Sequence, residues 1–95
     1  MFHFRSKVWK YSGKAAWYFV SLPLKISEEI KSKCNYKIRG YGSISVEAMI
    51  HKTKWKSSLF FSKEHKTYLL PLKIQIRKSE NINEGDLINI YITLI

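Results

Sequence analysis

The chain has little of several residue types that define whole classes of small protein. Its single cysteine, Cys34, excludes an intramolecular disulfide and a zinc site built from cysteines. Four glycines and two prolines, with 45% hydrophobic residues, speak against a disordered chain. No segment approaches the roughly 20 apolar residues of a membrane span, and the N-terminus lacks the apolar run of a signal peptide. We therefore expect one folded domain over residues 1–95, in the cytoplasm and away from membranes.

Acidic residues are also scarce. Seventeen Lys and Arg face seven Asp and Glu, which gives a net charge of +10. Such a field attracts polyanions, nucleic acid among them. The basic residues are spread along the chain, however, and a dispersed positive surface also keeps a small protein soluble. Composition alone leaves both readings open.

A repeated pentapeptide divides the chain. The sequence Leu-Pro-Leu-Lys-Ile at 22–26 recurs at 70–74, 48 residues further on. Each copy follows an aromatic and apolar run typical of a strand, and its proline should end that strand. After the first copy, Ile26, Ile30 and Cys34 share one helical face, with Ser27 as the predicted N-cap. A shorter helix is predicted across 73–79, where Ile74 and Ile76 would equally suit a strand.

Alternating apolar residues predict a strand at the start and at the end of each half. The predicted inward-facing positions are Phe2, Phe4 and Val8; Ile44, Val46, Ala48 and Ile50; Trp55, Leu59 and Phe61; Ile88, Ile90, Ile92 and Leu94. The halves, about 1–51 and 52–95, both read strand, strand, short helix, strand. We predict a mostly β protein in which two pseudo-duplicated halves close into one small barrel with two short helices.

The motifs at these corners carry a family resemblance. They are Trp17-x-Phe19-Val20-x-Leu22-Pro23, Tyr68-x-Leu70-Pro71-Leu72-Lys73, Arg77-Lys78 and Gly85-Asp86. In order and spacing they resemble the bacterial domain-of-unknown-function family nineteen-oh-five over nearly the whole chain. The resemblance implies a double-split β-barrel, the broad fold of AbrB- and MazE-like transcription factors, which assemble it from two subunits and bind DNA. Two halves in one chain then imply a monomer or a weak homodimer. The family has no established activity, so the DNA analogy concerns the fold alone. The charged loop 62–66 departs from the glycines that relatives often carry there.

No constellation typical of catalysis is present. Cys34 is expected to be a buried thiol on a helix. His3 and His51 alternate with apolar strand residues and should face solvent, while His65 lies in a charged loop. None of these residues has the spacing of metal ligands. We expect a protein that is not an enzyme and that has no metal site and no cofactor.

Two surfaces are candidates for binding. The first is basic, because alternation puts neighbouring cations on one strand face; its residues are Arg5, Lys7, Lys52, Lys54 and Lys56. Such stripes bind phosphates as point charges, and exposed Trp9, Tyr11 or Phe60 could stack on unpaired bases. Alternatively, the lysines are a solvated face or protect a strand edge.

The second candidate combines aromatic walls with cations, which suits a small anionic ligand or a peptide carboxylate; its residues are Trp17, Tyr68, Arg77 and Lys78. Alternatively, Trp17 and Tyr68 are core residues, and Arg77 caps a carbonyl or pairs with Asp86. The sequence thus favours a non-catalytic module for nucleic acid or another polyanion. The alternatives are a ligand- or peptide-binding barrel and a structural or interaction domain.

Overall fold

The computed structural model of the protein describes residues 1–13, 17–33 and 43–95. The elements, in chain order, are β1 (Phe2–Lys10), β2 (Tyr18–Ser21), α1 (Leu24–Lys33), β3 (Ser43–Ile50), β4 (Thr53–Ser62), β5 (Thr67–Pro71), α2 (Ile74–Ser79) and β6 (Leu87–Leu94). The predicted order of strand, strand, helix, strand is confirmed in both halves. Cys34, predicted to be a buried thiol, lies outside the described residues. Neither helix is long and apolar enough to cross a membrane.

The strands form a closed antiparallel barrel in the order β1-β2-β5-β4-β3-β6. β2 of the first half pairs with β5 of the second, and β3 pairs with β6. Exchanging the two halves leaves this order unchanged, so the barrel has a pseudo-twofold arrangement. Closure also pairs every strand of the barrel on both sides, which removes the exposed edges that promote aggregation. The predicted closed, mostly β-barrel is confirmed.

The barrel interior is filled by the inward positions of the alternating strands. The buried members of this set include Phe4, Val8, Val46, Ala48, Trp55, Leu59, Ile90 and Ile92. Phe61 was predicted to join them, and that prediction is wrong, because its side chain is 41% exposed. Phe61 lies near the C-terminal end of β4, beyond the barrel interior. Its ring makes a T-shaped contact with the Tyr68 ring, with the centroids 5.3 Å apart, and the ammonium of Lys31 lies over it.

The two strand-to-helix corners correspond at an offset of 50 residues rather than 48. Leu22 N donates to Tyr68 O, and Leu72 N donates to Tyr18 O, so the same bond is made twice with the halves exchanged. The pentapeptide copies therefore both occupy strand-to-helix corners, but two residues out of register. Pro23 stands just before α1, whereas Pro71 is the last residue of β5. A shift of two residues is tolerated because it keeps the inward and outward alternation of a strand.

Ser27 is not the N-cap of α1, which corrects the sequence prediction. The helix begins three residues earlier, at Leu24, and the carbonyl of Pro23 accepts the first helical bond, from Ser27 N, at 2.9 Å. Proline can precede or start a helix because the first turn needs no N–H there. Ser27 is thereby carried into the helix and buried, and its Oγ accepts a hydrogen bond from Tyr68 N at 3.2 Å.

Candidate binding groove

The two strand-to-helix corners carry different side chains at equivalent positions. Ser27 N donates to Pro23 O and Arg77 N donates to Lys73 O, so Ser27 and Arg77 occupy the same place in α1 and α2. The serine is buried. The arginine instead holds its guanidinium carbon 3.9 Å from the ring centroid of Tyr18 and donates from Nε to Leu72 O at 3.2 Å. The first corner thus has the buried hydroxyl of Ser27, and the second has the guanidinium of Arg77, which a cation–π contact holds in place.

A cleft lies beside Arg77. Its volume is about 520 Å³, and its wall combines Trp17 and Phe60 with the polar side chains of Lys73 and Gln75. Trp17 is 53% exposed and Phe60 is 47% exposed. Clefts of this size, apolar with a few polar groups, are typical of sites for small ligands. The cleft is therefore large enough and suitably lined to bind a ligand.

The cleft continues across the outside of the barrel as a longer groove. A second cavity of about 300 Å³ shares Trp17 and Phe60 with the cleft, and a third of about 340 Å³ shares Tyr11, Phe19 and Leu69 with the second. We call this continuous surface the aromatic groove and define it by Trp9, Tyr11, Trp17, Phe19, Phe60 and Leu69. It crosses β2 and β5 and the C-terminal ends of β1 and β4. Monomeric proteins rarely expose contiguous apolar surface of this kind unless it binds something.

Ring contacts hold the aromatic groove in shape. Trp17 and Phe19 stack at 6.1 Å with an interplanar angle of 10°, Phe19 meets Trp9 at 5.1 Å, and Trp9 stacks on His65 at 4.7 Å. Trp9 is further fixed because its Nε1 donates to Ser21 Oγ at 3.0 Å. The rings therefore form a pre-arranged row.

Positive charge borders the aromatic groove, and two of the cations, Arg77 and Lys10, lie near the same Tyr18 ring. Arg77 and Lys73 line the cleft, and Lys10 lines the third cavity, with its ammonium 6.0 Å from the Tyr18 ring. Among the residues that the structure describes, Glu64 is the one acidic residue in the linings of these three cavities. The groove is thus apolar along its floor and cationic at its rim.

The basic stripes predicted on two strands extend away from the aromatic groove. Arg5 and Lys7 are exposed on β1, and Lys54 and Lys56 are exposed on β4. β1 and β4 run in opposite directions, since each step from β1 through β2 and β5 to β4 is antiparallel. The stripes therefore lead off from the groove in opposite senses. Lys52 does not belong to its predicted strand face, because it lies in the two-residue turn between β3 and β4.

The second predicted site is only partly assembled. Trp17 and Arg77 do line one cleft, so the alternative that Trp17 is a core residue is wrong. Tyr68 is a core residue, at 2% exposure, and its place in the cleft is taken by the equivalent Tyr18. Lys78 is exposed and does not line the cleft. Of the two structural alternatives for Arg77, a carbonyl cap or a pair with Asp86, the structure has the carbonyl cap, on Leu72.

A separate polar cluster ties α2 to the turn between β3 and β4. Glu80, just after α2, is hydrogen-bonded to Thr53 and lies 2.6 Å from His51 Nδ1. The hydrogen bond from Thr53, and then that from His51, holds the pKa of Glu80 below its ordinary value of 4.5. Across the described ranges, no three His, Cys, Asp or Glu side chains gather as metal ligands would. We read the cluster as a structural clasp.

The interleaved halves and the closed barrel define a small double-split β-barrel with a one-sided aromatic groove. The chain belongs to the family described as Domain of unknown function (DUF1905), whose model matches residues 4–92. The resemblance found in the sequence is thus confirmed, and the match includes both halves of the barrel. Comparison with curated proteins gives no match.

Proposed function

We propose that the protein is a non-catalytic module that binds single-stranded nucleic acid in the aromatic groove. The observation that carries the proposal is the exposed aromatic row, with cations at its rim, at one of two otherwise equivalent corners. The other corner has the same backbone hydrogen bonds with a buried serine at this position, so the barrel does not need an arginine or an open cleft there in order to form.

The chemistry of the aromatic groove favours unpaired bases over other polyanions. Every base has a π-face, and stacking on an aromatic side chain contributes about 1–3 kcal/mol per base. A paired base in a duplex hides that face, so duplex DNA could use the basic stripes alone. Phosphates would meet Arg77, Lys73 and Lys10 at the rim, and the net charge of +10 would steer the strand to the protein.

The proposal includes no chemical step. Ser62 and His65 are hydrogen-bonded at 3.0 Å, but Ser62 Oγ also accepts from the backbone N of His65, as in an ordinary local turn. A nucleophile needs a base that a third group orients. On this proposal the protein acts in the cytoplasm as a monomer, because one chain closes the barrel.

Fluorescence anisotropy with labelled oligothymidylate and a duplex of equal length tests the proposal. We expect the single strand to bind more tightly, and its affinity to fall with salt. Replacing both Trp17 and Phe60 by alanine should weaken binding at least tenfold, since each removes a stacking surface. Leu87→Ala is the matched control, because Leu87 is equally exposed on β6 but outside the groove. Absence of binding at low salt, or an equal loss in the control, would contradict the proposal.

The basic stripes are tested separately. Changing Lys54 and Lys56 together to Glu should weaken binding of both oligonucleotides and reduce the salt dependence, because phosphate contacts release counterions. If affinity and salt dependence stay unchanged while the fold is intact, the stripes serve solubility and only the groove binds.

A second candidate function is recognition of a small anionic ligand in the cleft alone. It is favoured by the fixed position of Arg77 over Tyr18, which suits a carboxylate or phosphate attached to an apolar group. Thermal-shift screening with aromatic carboxylates separates the two. Stabilisation by such a compound, combined with no affinity for oligonucleotides, would favour this candidate.

A further inference from the structure

The aromatic groove has a defined length and two unlike ends. The cleft of about 520 Å³ with Arg77 forms one end, the cavity of about 300 Å³ forms the middle, and the cavity of about 340 Å³ beside His65 forms the other. Neighbouring cavities share aromatic walls, so a bound chain could pass from one to the next without leaving the apolar floor.

The ring spacing fits separated bases. Successive ring centroids along Trp17, Phe19 and Trp9 are 6.1 and 5.1 Å apart, whereas stacked nucleotides in one strand of a duplex rise by about 3.4 Å. Bases that each contact a different ring of this row would therefore lie farther apart than stacked neighbours in a duplex. An unstacked strand is the state that single-strand binding proteins select.

Arg77 is prepared to bind an anion at the cleft end. Stacking on Tyr18 fixes the plane of the guanidinium, and the bond from Nε to Leu72 O fixes its direction. Its Nη atoms donate to no other residue that the structure describes. A guanidinium held in this way offers a paired set of donors that matches a phosphate.

We infer that the aromatic groove holds about three consecutive nucleotides, one in each cavity, and that Arg77 binds a phosphate at the cleft end. This inference rests on the proposed function. It adds a site length and a polarity, because only one end of the groove has the anchored guanidinium. An oligonucleotide should then bind in one direction, with one of its terminal phosphates at Arg77.

Short oligothymidylates of one to six nucleotides, each with a 5′-phosphate, a 3′-phosphate or neither, test the inference by anisotropy competition. We expect affinity to rise steeply up to three nucleotides and to change little beyond. One of the two terminal phosphates should strengthen trinucleotide binding by about tenfold, as a charge-assisted hydrogen bond would.

Arg77→Gln should remove that phosphate effect, so it should weaken binding of the phosphorylated trinucleotide much more than binding of the unphosphorylated one. Lys78→Gln is the matched control, since it removes the same charge from the next residue of α2 but outside the cleft. Arg77→Lys keeps the charge and should restore only part of the effect. Thermal unfolding of each variant establishes that the fold is intact, and a purely structural role of Arg77 would not alter the discrimination between phosphorylated and unphosphorylated ligands.

The outcomes separate this inference from the proposed function. If none of the oligonucleotides binds, whatever its length, the proposed function is wrong. If long strands bind but affinity grows evenly to six nucleotides, or if Arg77→Gln and Lys78→Gln reduce the phosphate effect equally, the three-nucleotide site anchored by Arg77 is wrong and the groove is a longer, non-directional platform.

Discussion

Two corners of the barrel, between β2 and α1 and between β5 and α2, have equivalent backbone hydrogen bonds but different side chains on their surfaces. In the first, Ser27 is buried and bonded to the backbone of Tyr68. In the second, the equivalent Arg77 lies over the equivalent Tyr18, which stays half-buried beside an open cleft. The same local fold thus supports a packed joint on one side and a binding surface on the other. Internal duplication thus shows two different side chains at one helix position, one in a packed joint and one beside an open cleft.

The two tyrosines should give the largest contrast in stability. Tyr68→Ala should lower the free energy of unfolding by about 3–5 kcal/mol, as for other buried aromatic residues, because it empties part of the core. Tyr18→Ala should cost about 1–2 kcal/mol, because part of its ring is already in water. Urea unfolding measures both. Equal losses would contradict the view that only one corner is packed.

Ser27 and Arg77 occupy the same helix position in the two halves. Replacing Ser27 should affect mainly stability, and replacing Arg77 should affect mainly binding. Ser27→Ala should destabilise the protein by about 1 kcal/mol, because it removes the hydrogen bond to Tyr68 N, and it should leave oligonucleotide affinity unchanged. Arg77→Gln should lower oligonucleotide affinity, and it should also cost some stability because it removes the hydrogen bond to Leu72 O. Parallel urea unfolding and anisotropy titrations of the two variants measure this. Loss of affinity in Ser27→Ala would show that the packed corner also contributes to binding.

The third residues of β1 and β4, Phe4 and Trp55, should differ in how well they suit the core. Trp55 Nε1 is buried and has no hydrogen-bond partner among the described residues. Trp55→Phe should change the free energy of unfolding by less than about 1 kcal/mol, because relief of the unpaired donor offsets the lost contacts. Phe4→Ala, by comparison, should cost about 3–5 kcal/mol. A loss above about 2 kcal/mol in Trp55→Phe would mean that Nε1 has a partner after all.

The equivalent positions Ile30 and Glu80 should differ in how their contribution to stability depends on pH. Ile30 in α1 is buried, whereas the equivalent Glu80 after α2 is a carboxylate with a lowered pKa. The folded state therefore favours the charged form, so Glu80 adds stability above pH 4.5, and this is lost as the pH falls through 4.5 towards the lowered value. The gap in unfolding free energy between the wild type and Glu80→Gln should shrink over that range. Glu84→Gln, which removes an exposed turn carboxylate, is the control. A gap that stays constant from pH 6 to pH 3 would contradict the clasp.

The fold could be predicted from the sequence because its determinants are local. Residues 44–50 and 88–94 alternate strictly, and the repeated pentapeptide marks both corners, so element order and closure follow. The true offset of the two corners could not be predicted. A shift of two residues preserves the alternation, and only the hydrogen bonds of Leu22 and Leu72 reveal it.

The aromatic groove could be predicted only in part. Trp9, Tyr11 and Phe60 were expected to be exposed, and Trp17 and Arg77 were expected to be neighbours. The sequence prediction placed Tyr68 in the cleft, where the structure has Tyr18. The two tyrosines occupy equivalent positions in the two halves, and which of them is buried depends on which corner is open. The outward direction of Phe19 and Leu69 was also hidden, because short strands rich in apolar residues look buried on both faces.

The position of β6 in the barrel has a consequence for how the chain acquires its structure. β6 follows the other five strands of the barrel in the chain, yet it lies between β1 and β3 and pairs with both. A ribosome-bound chain that ends before Leu87 would have two open sheet edges and an incomplete interior, which exposes it to mispairing. Folding of the barrel should therefore wait until β6 has been made and be slow for the barrel's size, because β1 and β6 must meet. Truncation before β6 should prevent the whole barrel from folding rather than leave a stable five-stranded sheet.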